Sequence, residues 1–325
     1  MFKRILVPLD GSGRAEQAIP IAARLARASG GSIFLVRVVS TEPAHLPTAH
    51  KPILTQTVGV ADRALAESYL RGVAESELLT GIPVQTRVLV GLVSSSLLAV
   101  AADEHADIIV MCSHGYTGVK HWWLLGSVAN NLARYSQVPV LILREGGSIP
   151  AQRHPGEPPL RVLVPLDGSD YAKAALVPAA YLAAYLAAPG WGALHLTHVV
   201  QPVHNTHGPT GTAHSTEDTR AALNMAREYL HTVINHLRDR SEYPVIADLN
   251  LEITSSVIID EDIEQGILRV AENIRNSEGV EAFGGCDAIA MTTHGQSGLQ
   301  HWVGSVTERI LHISPFPLLV VRPGA

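Results

Sequence analysis

The sequence predicts an α/β protein made of two doubly wound, Rossmann-like domains, each built on a parallel sheet. Three observations carry this. Val7-Pro8-Leu9-Asp10-Gly11-Ser12 returns 157 residues later as Val164-Pro165-Leu166-Asp167-Gly168-Ser169. Each half then closes on a second shared marker. In the first half Ser113-His114-Gly115-Tyr116-Thr117-Gly118 precedes Gly126-Ser127-Val128; in the second, Thr293-His294-Gly295-Gln296-Ser297-Gly298 precedes Gly304-Ser305-Val306. Two markers in the same order mean a duplicated domain, and the period is far too long for a solenoid. Third, short aliphatic runs alternate with amphipathic stretches, the pattern of parallel strands joined by helical crossovers.

The elements follow in order. The first half reads as strand 3–9, helix 14–29, strand 33–39, helix 60–80, strand 84–90, helix 93–104 and strand 107–112. A glycine-rich loop, helix 126–136 and strand 139–144 complete it. Residues 33–39 and 108–112 are apolar runs without alternation, as strands covered on both faces require. Pro139 puts the last strand at a sheet edge. The second half reads as strand 160–166, helix 171–188, strand 193–200, helix 216–239, strand 244–253, helix 261–276, strand 287–292, helix 304–313 and strand 317–322. Asp10 to Asp107 spans 97 residues and Asp167 to Asp287 spans 120, so the second half carries 23 extra, assigned to 254–262 and 276–286. The domains are 1–145 and 160–325. The Gly- and Pro-dense segment 146–159 between them is a linker.

Composition narrows the function. The 325 residues hold 24 Lys and Arg against 30 Asp and Glu, a net charge of −6, which disfavours a general nucleic-acid binder. No apolar run reaches the ~18 residues a membrane helix needs, and residues 1–7 lead straight into a strand without the features of a signal peptide. Two cysteines give no disulfide framework. The expectation is a cytoplasmic protein with neither membrane nor nucleic acid as a partner.

Physical reasoning places a ligand beyond the carboxyl ends of the strands, where the winding direction reverses. Asp10 and the loop after Met111 meet there. Gly126-Ser127 and Gly304-Ser305 each open a helix, whose first amides and positive dipole end suit a phosphate. The competing readings are structural. Ser127 and Ser305 can be N-caps, and Asp10 and Asp167 can be Asx-turn residues in Asp-Gly-Ser turns or caps of the helix that follows. His114 and His294 can meet a phosphate or be plain loop residues. Trp122, Trp123 and Trp302 fit interface packing better than a cleft mouth. Among His195, His198, His204, His207 and His214, the first two lie three apart on a strand and face opposite sides, and no zinc spacing is present. No metal site is assigned. Cys112 and Cys286 read as packing residues. No nucleophile elbow, Walker lysine or paired carboxylate is present.

The residues resemble the universal stress protein family, and the whole chain resembles a tandem universal stress protein. Asp10 and Asp167 match the aspartate that closes the family's first strand. The glycine loops match Gly-x2-Gly-x9-Gly-Ser/Thr. Val138-Pro139-Val140-Leu141-Ile142-Leu143-Arg144 and Phe316-Pro317-Leu318-Leu319-Val320-Val321-Arg322 match a last strand ending in a basic residue. The chain departs from the motif at Cys112 and Thr292, which stand where its first glycine falls. Ten residues separate Gly115 from Gly126 and eight separate Gly295 from Gly304, against the family's nine.

The resemblance implies sheet order 3-2-1-4-5, a cleft between strands 1 and 4, and ATP or another adenine nucleotide as ligand, Mg being an optional companion ion. The residues it marks are Pro8, Asp10, Val38, Met111, Ser113, Gly115, Gly118, Gly126, Ser127 and Val128 in the first half. In the second they are Pro165, Asp167, Val199, Met291, Thr293, Gly295, Gly298, Gly304, Ser305 and Val306. No catalytic residue is assigned. An extra loop residue can bulge outward while a missing one strains the loop, so the first half is expected to bind more tightly. The expected function is a stress-response protein that binds the nucleotide as a regulatory ligand, with little or no hydrolysis. The alternatives are a degenerate module that docks an unknown protein partner, and a slow ATP hydrolase. The last strands are expected to pair the halves as an internal pseudo-dimer, and a homodimer of whole chains stays open.

Overall fold

The structure is a computed structural model of the chain. It describes residues 1–40, 60–114, 125–144, 149, 158–202, 212–275, 281–293 and 304–323. The linker apart from Ile149, Pro158 and Pro159 lies outside them, as do Gly115, Gly118, His294, Gly295, Gly298, His204, His207 and the three tryptophans of the glycine loops. The chain divides into Met1–Glu145 and Gly146–Ala325.

In the first unit β1 (Arg4–Pro8) leads through a single 3-10 turn into α1 (Ala18–Ser29). Then come β2 (Ser32–Ser40), α2 (Val60–Ala74), β3 (Val84–Gly91), α3 (Val93–Asp103), β4 (Ile108–Cys112), α4 (Ser127–Tyr135) and β5 (Val140–Leu143). The strands lie in the order β3-β2-β1-β4-β5. Every pairing is parallel. Helices cover both faces of the central strands, which is why Ile5, Leu6, Val7, Ile108, Ile109 and Val110 are all 0% exposed.

The second unit repeats the plan. It runs β6 (Leu160–Pro165), α5 (Asp170–Lys173), α6 (Leu176–Ala187), β7 (Gly192–Val200) and α7 (Thr212–Arg238). Next are α8 (Pro244–Asp248), β8 (Glu252–Ile259), α9 (Ile263–Glu272), β9 (Asn273–Arg275) and β10 (Glu281–Gly284). It ends with β11 (Ala288–Thr292), α10 (Ser305–Ile313) and β12 (Leu318–Val321). The order β8-β7-β6-β11-β12 is that of the first unit, again all parallel. One clamp recurs as well. Asp107 Oδ2 accepts the Lys3 and Arg4 amides at 2.8 and 3.0 Å, and Asp287 Oδ2 accepts the Arg161 amide at 2.8 Å. Each aspartate thus ties the entry of its strand to the start of the first one.

Two expectations need correcting. Residues 244–253 are not a strand. Pro244 starts the short helix α8, with its ring at a first-turn position where no amide is missed, and the strand is Glu252–Ile259. The extra residues assigned to 254–262 therefore lie before β8, while the rest of the insertion falls mainly between α9 and β11, as expected for 276–286. The helix expected to reach 276 stops at Glu272, because Asn273–Arg275 pairs antiparallel with Glu281–Gly284. No helix among the described residues is long and apolar enough to cross a membrane.

Candidate functional site

The Asp-Gly-Ser segments make the same turn twice. Asp10 Oδ1 accepts from the Ser12 amide at 2.9 Å and the Ser12 hydroxyl at 2.6 Å; the hydroxyl oxygen then accepts the Ala15 amide at 3.2 Å. Asp167, Ser169 and Ala172 repeat these three bonds at 2.9, 2.6 and 3.2 Å. The aspartates are Asx-turn residues, and the serines they hold start the next helical segments. The intervening glycines have φ of +89° and +88°, a backbone that other residues adopt only under strain. The Asx-turn alternative thus holds for both aspartates, and in the second unit Ser169, two residues on, is the N-cap of α5.

The second glycine marker does its work through the backbone. Gly126 is the N-cap of α4 and Gly304 that of α10, and neither offers a side chain to the first-turn amides. Ser127 and Ser305 are first helical residues, so the serine-cap alternative does not hold. The Gly126 amide donates to the Ser113 carbonyl at 2.9 Å, and the Gly304 amide to the Thr293 carbonyl at 2.6 Å. A Cβ at Gly126 would stand 2.7 Å from that Ser113 oxygen, so only glycine fits. Each helix therefore begins tight against the end of β4 or β11, with its positive end turned to the strand ends.

Both units hold a cavity there. In the first it measures about 130 Å³, and its walls include Pro8, Asp10, Val38, Met111, Ser113, Gly126, Ser127 and Val128. In the second it measures about 700 Å³, and its walls include Pro165, Asp167, Val199, Met291, Gly304, Ser305 and Val306. Thr293 does not reach the wall: it is 1% exposed, and Thr292 lines the cavity in its place. The volume difference runs against the loop-length argument for a tighter first site.

The two units also differ at equivalent positions that were not assigned to the site from sequence. The strand registers Pro8↔Val36 and Pro165↔Thr197 make Arg37 and His198, one residue on, equivalent positions. Ala66-Glu67-Ser68-Tyr69-Leu70 and Ala226-Arg227-Glu228-Tyr229-Leu230 are equivalent pieces of α2 and α7, with the alanine and leucine buried in each. Glu16 and Lys173 each follow the turn aspartate by six residues. In the first unit these positions lock together: Tyr69 Oη donates to Glu16 Oε1 at 2.9 Å and the Arg37 guanidinium lies 5.0 Å from the Tyr69 ring centre. Burial and then Glu16 hold the Tyr69 hydroxyl well above the usual phenol range. In the second unit lysine replaces the acceptor, and Lys173 Nζ bonds Asp170 at 2.8 Å instead. The α7 wall of the cavity stays open, lined by Ala222, Met225, Ala226 and Tyr229.

Burial pushes the Tyr229 hydroxyl up to about 12 and the Cys112 and Cys286 thiols up to about 12. Both cysteines are packing residues with little thiolate near neutrality. His114 is 9% exposed; its Nδ1 lies 3.0 Å from Ser113 Oγ. His195 is buried against Thr254 and Ser256 at 2.8 and 2.9 Å, and burial with Arg161 pushes its pKa down to about 3. It is a neutral core residue. Among the described residues no three His, Cys, Asp or Glu side chains cluster to hold a metal.

A sequence profile described as "Universal stress protein family" matches residues 1–144 and again 160–322. A universal stress protein of Mycobacterium tuberculosis is 27% identical over 98% of this chain and 96% of its own length. One from Thermus aquaticus, a single domain, is 30% identical over 44% of this chain and 100% of its own. Among solved structures, a universal stress protein from Archaeoglobus fulgidus superposes with a TM-score of 0.62 at 20% identity, covering 100% of both chains.

Proposed function

The chain belongs to the universal stress protein family, one domain in each half, and from that premise we propose that its second unit binds an adenine nucleotide as a regulatory ligand, with little or no hydrolysis. The observation that carries this is the cavity of about 700 Å³ at the ends of β6 and β11. That volume lies inside the range of about 300–1,000 Å³ usual for small-molecule sites. The first unit's cavity of about 130 Å³ falls well below it.

The donor set fits a nucleotide. Gly304 brings no side chain, so the first-turn amides of α10 and the Ser305 hydroxyl form a cradle for phosphate at a positive helix end. Met291, Val199 and Ile267 supply apolar wall for a base, and the Asp167 carboxylate lines the same cavity at the strand end. A nucleotide bound there contributes charge and a polar base edge; Mg would enter with its phosphates. No cationic side chain is assigned to the γ-phosphate, which is why slow or absent hydrolysis belongs to the proposal.

The test is calorimetric titration of the full chain with ATP. Ser305→Asp puts a carboxylate at the phosphate end and is expected to weaken binding at least tenfold, while Ser127→Asp in the smaller cavity changes it less than twofold. Unchanged affinity in Ser305→Asp, or loss in Ser127→Asp alone, overturns the assignment to the second unit. Release of stoichiometric phosphate over repeated turnovers would favour the hydrolase reading instead.

A further inference from the structure

β3 closes the first unit's sheet on one side: among the described strands it pairs with β2 alone, through all eight of its residues. Its other edge faces outward, and Gln85, Thr86 and Arg87 in its middle are exposed. A groove runs along that edge between β3 and α2, with Val84, Thr86 and Val88 on the strand side. These alternate, so they share one face of the strand. The α2 wall is a single ridge. Arg63, Glu67, Arg71 and Glu75 follow one another at i, i+4 spacing, and Glu75, just past the helix, keeps the turn by donating its amide to the Arg71 carbonyl at 3.0 Å. All four are exposed, and their charges alternate in sign. The matching ridge on α7, Leu223, Arg227, His231 and Asn235, has no such alternation. The equivalent edge strand differs as well: in β8 only Ile259, its last residue, is exposed.

We propose that this edge docks a second copy of the chain, β3 pairing antiparallel with the partner's β3 across a two-fold axis and α2 packing beside the partner's α2. A two-fold reverses the order of the ridge, so a row of plus, minus, plus, minus meets minus, plus, minus, plus. Arg63 then faces the partner's Glu75, and Glu67 faces the partner's Arg71. This self-complementarity is what selects a second copy as the occupant. Within one chain Arg63 Nε bonds Glu67 Oε1 at 2.9 Å; the second carboxylate oxygen and the remaining guanidinium N–H groups keep capacity for the partner. The strand agrees with the helix. A two-fold through Thr86 sets Val84 against the partner's Val88, Gln85 against the partner's Arg87 and Thr86 against the partner's Thr86, so no like charges stand opposite one another. Spacing agrees too. α2 packs on both β2 and β3, which sets its axis over the seam between them, about 5 Å from the two-fold at a strand spacing of about 4.8 Å. The two helices then lie about 10 Å apart, within reach of the usual packing distance of about 8–10 Å. Exposed ion pairs are each worth little, so the backbone ladder and the helix contact supply the affinity while the charges fix register and partner. Pairing also removes an open sheet edge.

The experiment is sedimentation equilibrium of the full chain without nucleotide, so its outcome is independent of the nucleotide reading. The parent is expected to form a concentration-dependent dimer that weakens as salt rises. Glu67→Arg makes the row plus, plus, plus, minus, and Arg71→Glu makes it plus, minus, minus, minus. Each alone sets like charges across the axis and is expected to raise the dimer's dissociation constant at least tenfold. Mixing the two variants restores every opposite pair, so an equimolar mixture is expected to form a heterodimer with an affinity close to the parent's. The double variant Glu67→Arg/Arg71→Glu has the row plus, plus, minus, minus, again its own complement, and is expected to dimerise by itself. A folding defect in the single variants would not be repaired by mixing, and thermal midpoints close to the parent's verify that both fold. A parent that stays monomeric, a dimer that neither single variant weakens, or single variants that fail to recombine overturns the proposal.

Discussion

Removing one oxygen from each of two equivalent tyrosines should move the stability of the two units in opposite directions. In Tyr69→Phe the ring stays under the Arg37 guanidinium, so the cation–π contact at 5.0 Å survives and only the bond to Glu16 at 2.9 Å is lost. Hydrogen bonds to charged partners are worth about 1.5–3 kcal/mol. Both side chains are half-exposed, and solvent screening brings the expected loss to about 1 kcal/mol. In Tyr229→Phe the deleted hydroxyl is buried and, among the described residues, has no hydrogen-bond partner, while the edge contact with His198 is kept. Relief from desolvating a lone hydroxyl is on the order of 1 kcal/mol in the stabilising sense. A single unfolding curve of a two-domain chain would blend the effects. Hydrogen exchange resolved by peptide separates them, read on α2 and β2 for one variant and on α7 and β7 for the other. The reasoning is refuted if Tyr229→Phe lowers protection in the second unit by 1 kcal/mol or more, because the hydroxyl then has a partner in the folded protein.

Three further outcomes are expected. His195 holds a pKa of about 3 when folded against about 6.5 when unfolded, so the unfolded state takes up the proton first and stability falls as pH drops below about 6.5. At pH 5 the loss is about 2 kcal/mol from this group, and the difference between parent and His195→Gln across that window should show it; identical pH profiles would contradict a neutral buried ring. Cys112 and Cys286, both pushed up to about 12, should resist a disulfide exchange reagent in native buffer and react on denaturation, whereas labelling within seconds in the native state would contradict their burial. Asp167→Ala removes two turn bonds, and calorimetry should record a loss of about 1 kcal/mol in the second unit's stability together with weaker ATP binding; stability loss with unchanged affinity confines Asp167 to the turn.

Most of the architecture could be read from residues 1–200 because there the local signals agree with one another. Apolar runs such as 108–112 are buried on both faces, and each strand is bounded by Gly, Pro or Asp. Sheet order came through the family resemblance, and the observed order agrees with it. The sequence reading failed where tertiary pairing decides. Pro244-Val245-Ile246 has strand composition, yet it makes a helical turn and the ladder is taken up by Glu252–Ile259 against β7. Asn273–Arg275 continues a helical period but pairs with Glu281–Gly284. The candidate site divides the same way. Strand ends and glycine N-caps carry local markers. The α7 wall carries one faint marker, the repeated Ala-x2-Tyr-Leu, and its meaning depends on which acceptor stands across a fold contact 56 residues away, where Lys173 faces Tyr229.

The difference between the two cavities has a consequence for how the chain reports its surroundings. Under the proposed function the first unit, with its cavity of about 130 Å³, has a stability that does not respond to the nucleotide. The second unit, under the same proposal, gains stability with the logarithm of nucleotide concentration, by RT ln(1 + [L]/Kd). Joined in one chain, the two would then act as a fixed reference and a variable one. Which half opens first, to a protease or to a binding protein, then becomes a measure of ligand concentration, converted from chemistry into the order in which two similar folds come apart.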